Sequence, residues 1–233
     1  MIPAWIVEYG ALLGRGLQTT IAILLISSVF GFALAVLVAL ARISKNKVIA
    51  KVSLFYTSVT RGTPLLIQIY IFYYGLGSLF AQFPMIRGSF LWPYLRDGYW
   101  YIVFALVLSV GAYVGEVIRG GLLAVPKGEM EAASAFGMTP RQALLRVRLP
   151  RAMRLLLPTL AGETVMLLKS TALASTIAVV DLLGAANVVR AQTLQIYQPL
   201  LLVAAVYLCL TFLIEGVYAI AERRGTPLRR SAG

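Results

Sequence analysis

Five apolar runs decide what this chain can fold into: residues 17–41, 65–80, 101–122, 155–180 and 200–220. About twenty apolar residues wound as a helix cross the roughly 30 Å hydrocarbon layer of a bilayer. In that layer no water pairs with backbone N–H and C=O groups, so a spanning segment must be a helix or part of a closed barrel. Barrel strands are only about 9–11 residues long, and these runs exceed that. The expectation is an all-α membrane protein with about five transmembrane helices in a single domain, 1–233, whose core covers about 17–222. A content of 60% hydrophobic and 13% charged residues agrees, because no water-surrounded core of 233 residues needs so much apolar material.

The segments between the runs carry their own signals. Residues 1–15 mix Pro3, Trp5, Glu8 and Tyr9 and are expected to lie at a membrane interface. They lack a basic leader, and the apolar run that follows is too long for a signal peptide, which points to a retained helix. A shallow helix over 52–60 can extend the second span backwards. Thr63 as N-cap with Pro64 as first helical residue is expected to restart the chain at that span. Pro84, Trp92, Pro93, Tyr94 and Trp100 form an aromatic belt after it. The loops after the first and third spans and the C-terminal tail together hold about fifteen of the 21 Lys and Arg. That bias sets the N-terminus outside and the C-terminus inside a multi-pass membrane protein, with the basic loops facing the cytoplasm.

Several chemistries are excluded by what is missing. The chain has no histidine and one cysteine, Cys209, so a zinc site, a Ser-His triad and an intrachain disulfide are ruled out as readings. No catalytic residue and no metal ligand are expected. Ser170 beside Lys169 is the faintest of dyads. No Gly-rich loop ending in Lys-Ser or Lys-Thr is present to cradle nucleotide phosphates, so ATP and Mg would have to sit on another subunit. The positive charge of +12 follows membrane topology and does not point to nucleic acid. A self-contained channel or secondary carrier is the alternative class, although such carriers usually show more spans or internal repeats.

The polar loop over about 123–154 holds an ordered set of helix signals in Glu129–Pro150. Glu131, Ala132 and Ala133 favour a short helix, and Gly137 can end it in a left-handed conformation. Thr139, Pro140 and Gln142 then read as N-cap, first residue and third position of a capping box, starting a second short helix that Pro150 and Pro158 punctuate.

Charges inside the spans are the remaining signal. A mid-helix carboxylate costs about 2.5–3.5 kcal/mol to insert, so it faces protein or water and has a role. Glu163 shares a helix face with Met166, Leu167, Ser170 and Ala174. Lys169 is rotated about 120° from it and cannot form a simple intrahelical pair. Two readings stay open: Glu163 lines a pathway and receives a cationic substrate, or it pairs with a basic residue elsewhere. Tyr113 either reaches that pathway or packs as an ordinary aromatic. Lys169 reads as structural, Glu116 as the partner of Arg119, Glu215 as an interfacial anchor, and Asp181 as a cap or an outer-surface contact.

The spacing Glu131-Ala132-Ala133, Gly137, then Val147-Arg148-Leu149-Pro150 resembles the EAA loop in permease subunits of ATP-binding-cassette (ABC) importers. Val147 is the one departure, where that family commonly has isoleucine. Arg61-Gly62-Thr63-Pro64-Leu65, Ala112-Tyr113 with Glu116, Val125–Glu129, Lys169–Leu173 and Asp181-Leu182-Leu183 are similar to phrases of its polar amino acid and opine branch. Gln68–Gly75 and Phe90–Asp97 resemble M-type permeases of the histidine/lysine/arginine/ornithine and octopine/nopaline importers. The resemblance implies a type I importer fold and a subunit that moves a polar, basic amino acid or opine without covalent chemistry of its own. It further implies that Glu131, Ala132, Ala133, Gly137 and Pro150 couple the spans to an ATPase homodimer. The other implied partners are a second permease subunit, identical or homologous, and a periplasmic substrate-binding protein, all within membrane lipid. The substrate pathway is expected at Glu163, Met166, Ser170 and Tyr113.

Overall fold

The computed structural model describes residues 4–225. The described residues are helical throughout their main elements, and four helices are long and apolar enough to cross a membrane, with a bent pair making a fifth crossing. The first, α1 (Ala4–Arg42), runs unbroken for 39 residues. Residues 4–15 are thus continuous with the first span. Glycines 10, 14 and 16 do not stop the helix because its N-terminal part packs against a later helix. Trp5 is 6% exposed and donates its indole N–H to Gln198 Oε1 at 3.0 Å. At Gly16 a Cβ would stand 2.7 Å from the Asp181 carbonyl oxygen, so only glycine fits there.

The centre of the fold is the pairing of α1 with α4 (Gly98–Ala124). Without a hydrophobic drive between helices in lipid, close backbone approach and dispersion do the work, and small residues permit it. A Cβ at Gly31 would meet Val110 Cβ at 2.7 Å, and one at Gly115 would meet Val38 Cγ1 at 2.9 Å. Ile23, Ala35, Ile102, Leu106 and Ile118 fill the seam between them and their neighbours, all fully or nearly fully buried.

Against both α1 and α4 packs α2 (Lys47–Gly62), started by Asn46, whose side-chain oxygen accepts from the N–H groups of Val48 and Ile49. Its amphipathicity is inverted. Ser53, Thr57 and Thr60, spaced along one face, are buried, while Val48, Val52, Phe55 and Val59 are exposed. That is the arrangement expected where the surroundings are lipid and polar groups are satisfied inside the protein.

The next span, α3 (Leu65–Gln82), widens into π geometry over Ile71–Leu76. Its start differs from the expected cap. Pro64 is the N-cap, and Thr63 instead closes α2. The Thr63 hydroxyl donates to the Val59 carbonyl and accepts from Gln68 Nε2, which also donates to the carbonyls of Thr60 and Thr63. Gln68 thus satisfies the orphaned end of α2, and Thr63 is not free to cap α3. Two short helices, Pro84–Arg87 and Trp92–Leu95, carry the aromatic belt to α4.

After α5 (Lys127–Ala135) the chain enters one long helical run, α6 (Pro140–Ile177). The second helix of the loop is therefore not a short element. It continues into the span through a π turn at Leu144–Arg148 that absorbs the missing N–H of Pro150. The upper end of α6 tightens to 3-10 geometry over Ala172–Ile177, and Ala178 turns left-handed at φ 61°. The span therefore ends before the expected residue 180. A further helix, α7 (Leu182–Thr193), follows at a 48° bend. Asp181 starts it, accepting from the Gly184 N–H at 2.9 Å, and the Leu182 N–H donates to Thr20 Oγ1 at 3.0 Å. Asp181 is fully buried, which fits a cap and not an outer-surface contact. The last helix, α8 (Tyr197–Gly225), is tied to α6 by two hydroxyl pairs, Thr164 with Tyr218 at 2.9 Å and Thr171 with Tyr207 at 3.2 Å.

Candidate functional site

Three helices enclose a recess of about 340 Å³, within the range of small-molecule sites. Leu65 comes from the first turn of α3; Leu106, Ser109, Val110 and Tyr113 from α4; Glu163, Met166, Leu167 and Ser170 from α6. All four residues expected on the pathway, Glu163, Met166, Ser170 and Tyr113, meet here, on walls that apart from Ser109 are otherwise aliphatic. Ala174, placed on the same helix face by periodicity, is instead buried in the core.

Glu163 is half-buried and forms no ion pair among the described residues. The cation whose field reaches it is Arg61, at the end of α2. Ser170 donates its hydroxyl proton to the Met166 carbonyl at 2.8 Å, which leaves its oxygen as an acceptor. Lys169 lies on the exposed side of α6 and does not line the recess.

A second recess of about 550 Å³ lies beside the first, and Tyr113 borders both. It is lined by Arg42, Thr57, Ser58, Arg61 and Glu116 among others. Tyr113 donates its hydroxyl to the Arg61 carbonyl at 3.3 Å, and the Arg61 guanidinium sits 5.4 Å from the centre of the Tyr113 ring. One side chain thus forms the partition between the two recesses, held by a hydrogen bond and a cation–π contact.

Glu116 has a different setting. Arg42 Nε and Arg119 Nε each reach one of its carboxylate oxygens at 2.6 Å, and Thr57 Oγ1 lies 3.4 Å from Oε1. The pair with Arg119 matches expectation, as residues i and i+3 on a helix are neighbours. Arg42 was not foreseen. It closes α1 and reaches 74 positions along the chain to α4, a distance over which no local spacing carries information.

The polar loop is sharply built. The Met138 N–H donates to the Ala133 carbonyl at 3.1 Å and the Gly137 N–H to the Ser134 carbonyl at 2.9 Å, with Gly137 at φ 73°. This is the Schellman arrangement that terminates α5. Thr139 and Gln142 then form a complete capping box: Gln142 N–H to Thr139 Oγ1 at 3.3 Å, Thr139 N–H to Gln142 Oε1 at 2.9 Å. Ala133 is buried, Glu131 and Ala132 are exposed, and Phe136 projects from the tip at 85% exposure. Arg148 donates to the Leu122 carbonyl at 2.8 Å and Arg151 pairs with Glu129 at 3.4 Å, pinning the loop to the end of α4 and the base of α6. Pro150 lies in the first turn of the regular part of α6.

The fold is that of a multi-pass helical membrane protein. Residues 29–226 match the family of binding-protein-dependent transport system inner membrane components, and the chain belongs to that family. It is therefore a permease-type subunit of the inner membrane. The octopine transport system permease protein OccM of Rhizobium radiobacter is 38% identical over 98% of this chain and 92% of its own length. The histidine/lysine/arginine/ornithine transport system permease protein HisM of Escherichia coli K12 is 36% identical over 90% and 87%. Among solved structures, an amino acid ABC transporter superposes at a TM-score of 0.80 with 31% identity, covering 96% of this chain and all of that one.

Proposed function

We propose that the chain is the permease subunit of an ATP-driven importer for a polar amino acid or opine carrying a cationic group. The observation that carries this reading is Glu163: a carboxylate without an ion-pair partner among the described residues, in a small recess between three spans. A guanidinium or ammonium group would supply the missing partner, and a guanidinium can engage a carboxylate through two charge-assisted hydrogen bonds. The aliphatic walls and Met166 would accommodate the methylene stem of such a substrate. The names of OccM and HisM support the substrate class.

In this reading the N-terminus is outside and the C-terminus inside, as the basic loops require. Two permease subunits, identical or homologous, enclose the pathway. A periplasmic binding protein delivers the substrate, and an ATPase homodimer holding ATP and Mg receives α5. Glu131 and Ala132 form the docking face, buried Ala133 seats it on the rest of the chain, and Gly137 is its hinge. Pro150 sits where the loop hands its motion to the span. Closure of the ATPases would draw the coupling helices together and turn the recess outward; hydrolysis would return it inward.

The test is purification with the co-encoded neighbours in lipid. An ATPase should copurify, with turnover that rises when binding protein and a basic amino acid are added. Uptake by this chain alone, insensitive to ATP, would overturn the proposal.

A further inference from the structure

A groove of about 470 Å³ separates the last turns of α1 from the first turns of α2, away from the recess that holds Glu163. Leu34, Leu37 and Ala41 form one wall, and Val48, Ile49 and Val52 the other. Ser53 and Tyr56 also border it, but neither offers a free donor. Ser53 donates to the Val38 carbonyl at 3.3 Å and Tyr56 to the Leu108 carbonyl at 2.5 Å. The groove thus presents carbon and no unmet donor. A polar substrate entering it would lose its water partners without replacement.

The two helices are joined by the short turn Ile43–Asn46, so they run in opposite directions and the groove opens at that turn. From Ala41 to Leu34 it descends about 10 Å along α1, at 1.5 Å per residue. Lys45 lies in that turn, and Lys47 and Lys51 stand next in sequence to Val48 and Val52 of the groove wall; all three are exposed, and none forms an ion pair among the described residues. Three cations at the mouth and an aliphatic slot below them match an amphiphile with an anionic head and a hydrocarbon tail. A second copy of this chain fits less well, because its net charge of +12 would add cations to a site that lacks anions.

We propose that this groove binds one anionic phospholipid, the head group on Lys45, Lys47 and Lys51 and an acyl chain between α1 and α2. Because α2 ends at Arg61 and Gly62, beside the Tyr113 partition, the lipid would brace the helix that forms one side of the second recess. The inference rests on the membrane location and is independent of which substrate the importer carries.

Native mass spectrometry of the whole transporter complex, extracted from nanodiscs of equal phosphatidylglycerol and phosphatidylcholine, tests it. The unaltered complex should retain phosphatidylglycerol, one per copy of this chain, over phosphatidylcholine. A lysine near an anionic surface strengthens association about fivefold. The K45Q/K47Q/K51Q variant should therefore lower that preference at least about tenfold. Val52→Trp, at a site 63% exposed, keeps every charge and fills the slot, and should also abolish retention. Unchanged retention in the triple variant overturns the proposal. So does equal retention of the two lipids by the unaltered complex, or full retention by Val52→Trp, which would reduce the lysines to a diffuse surface charge. A cross-link from Val48 to a second copy of the chain would assign the groove to a protein interface instead.

Discussion

Glu116 and Glu163 are both carboxylates on membrane helices, and the structure treats them in opposite ways. Glu116 is 12% exposed and clamped by two arginines at 2.6 Å, with a threonine hydroxyl beside it. Glu163 faces a recess and forms no ion pair among the described residues. A buried charge is tolerated when its partners are built in; in the function proposed above, the partner of Glu163 is the cationic group of the substrate. Residue type and membrane depth did not separate the two. The count of partners did.

The largest expected effect comes from breaking the clamped carboxylate. Glu116→Ala leaves two arginine head groups facing each other in low dielectric and should cost about 3 kcal/mol or more, seen as loss of the thermal transition in detergent. Glu163→Ala should leave that transition nearly unchanged, and a fall of similar size would erase the contrast between the two sites. Within the clamp the partners should differ. Arg42→Gln removes the tie between α1 and α4 and should cost more than Arg119→Gln, whose side chain is 32% exposed and spans a single helical turn.

The polar loop over Glu129–Pro150, proposed above to dock on the ATPase, offers a change that touches neither carboxylate. Gly137→Pro cannot adopt the left-handed conformation at φ 73°, and a charge at buried Ala133 would disturb the underside of α5. Either should leave membrane insertion and ATPase turnover measurable while transport falls at least about tenfold, a loss of roughly 1.4 kcal/mol in coupling. Normal transport would reduce the stretch to a basic loop. The smallest effect should come from Tyr113→Phe, which keeps the ring over Arg61 and gives up one 3.3 Å hydrogen bond, worth about 0.5 kcal/mol. A rise in substrate leak between the two recesses, followed with a fluorescent or radioactive substrate, would show that this bond holds the partition.

How far the sequence carried depended on the range of the interaction. Spans, the Schellman end at Gly137 and the capping box at Thr139 rest on residues within one or two turns, and they were legible. So was the grouping of Glu163, Met166 and Ser170, which helix periodicity alone places on one face. The contribution of α4 and α3 to that recess was only partly legible, through Tyr113. What stayed hidden depends on distant partners. The extension of α1 is secured by Trp5 on Gln198, the bend before α7 by Thr20 on Leu182, and the clamp on Glu116 by Arg42. α7 itself is short, and its mixed pattern of alanine, valine and polar residues is too weak to mark a span. The inverted face of α2 was concealed for another reason: Ser53, Thr57 and Thr60 look like a solvent stripe unless lipid is taken as the solvent.

The account turns on Glu163 acting as the receptor for a cation, and initial uptake rates of the reconstituted complex test this most directly. With Glu163→Gln, KM for an arginine-like substrate should rise at least about tenfold, the cost of losing roughly 1.4 kcal/mol from a charge-assisted contact, while thermal stability and ATPase turnover hold. An unchanged KM and rate for the cationic substrate would contradict the account and leave the recess without its assigned role.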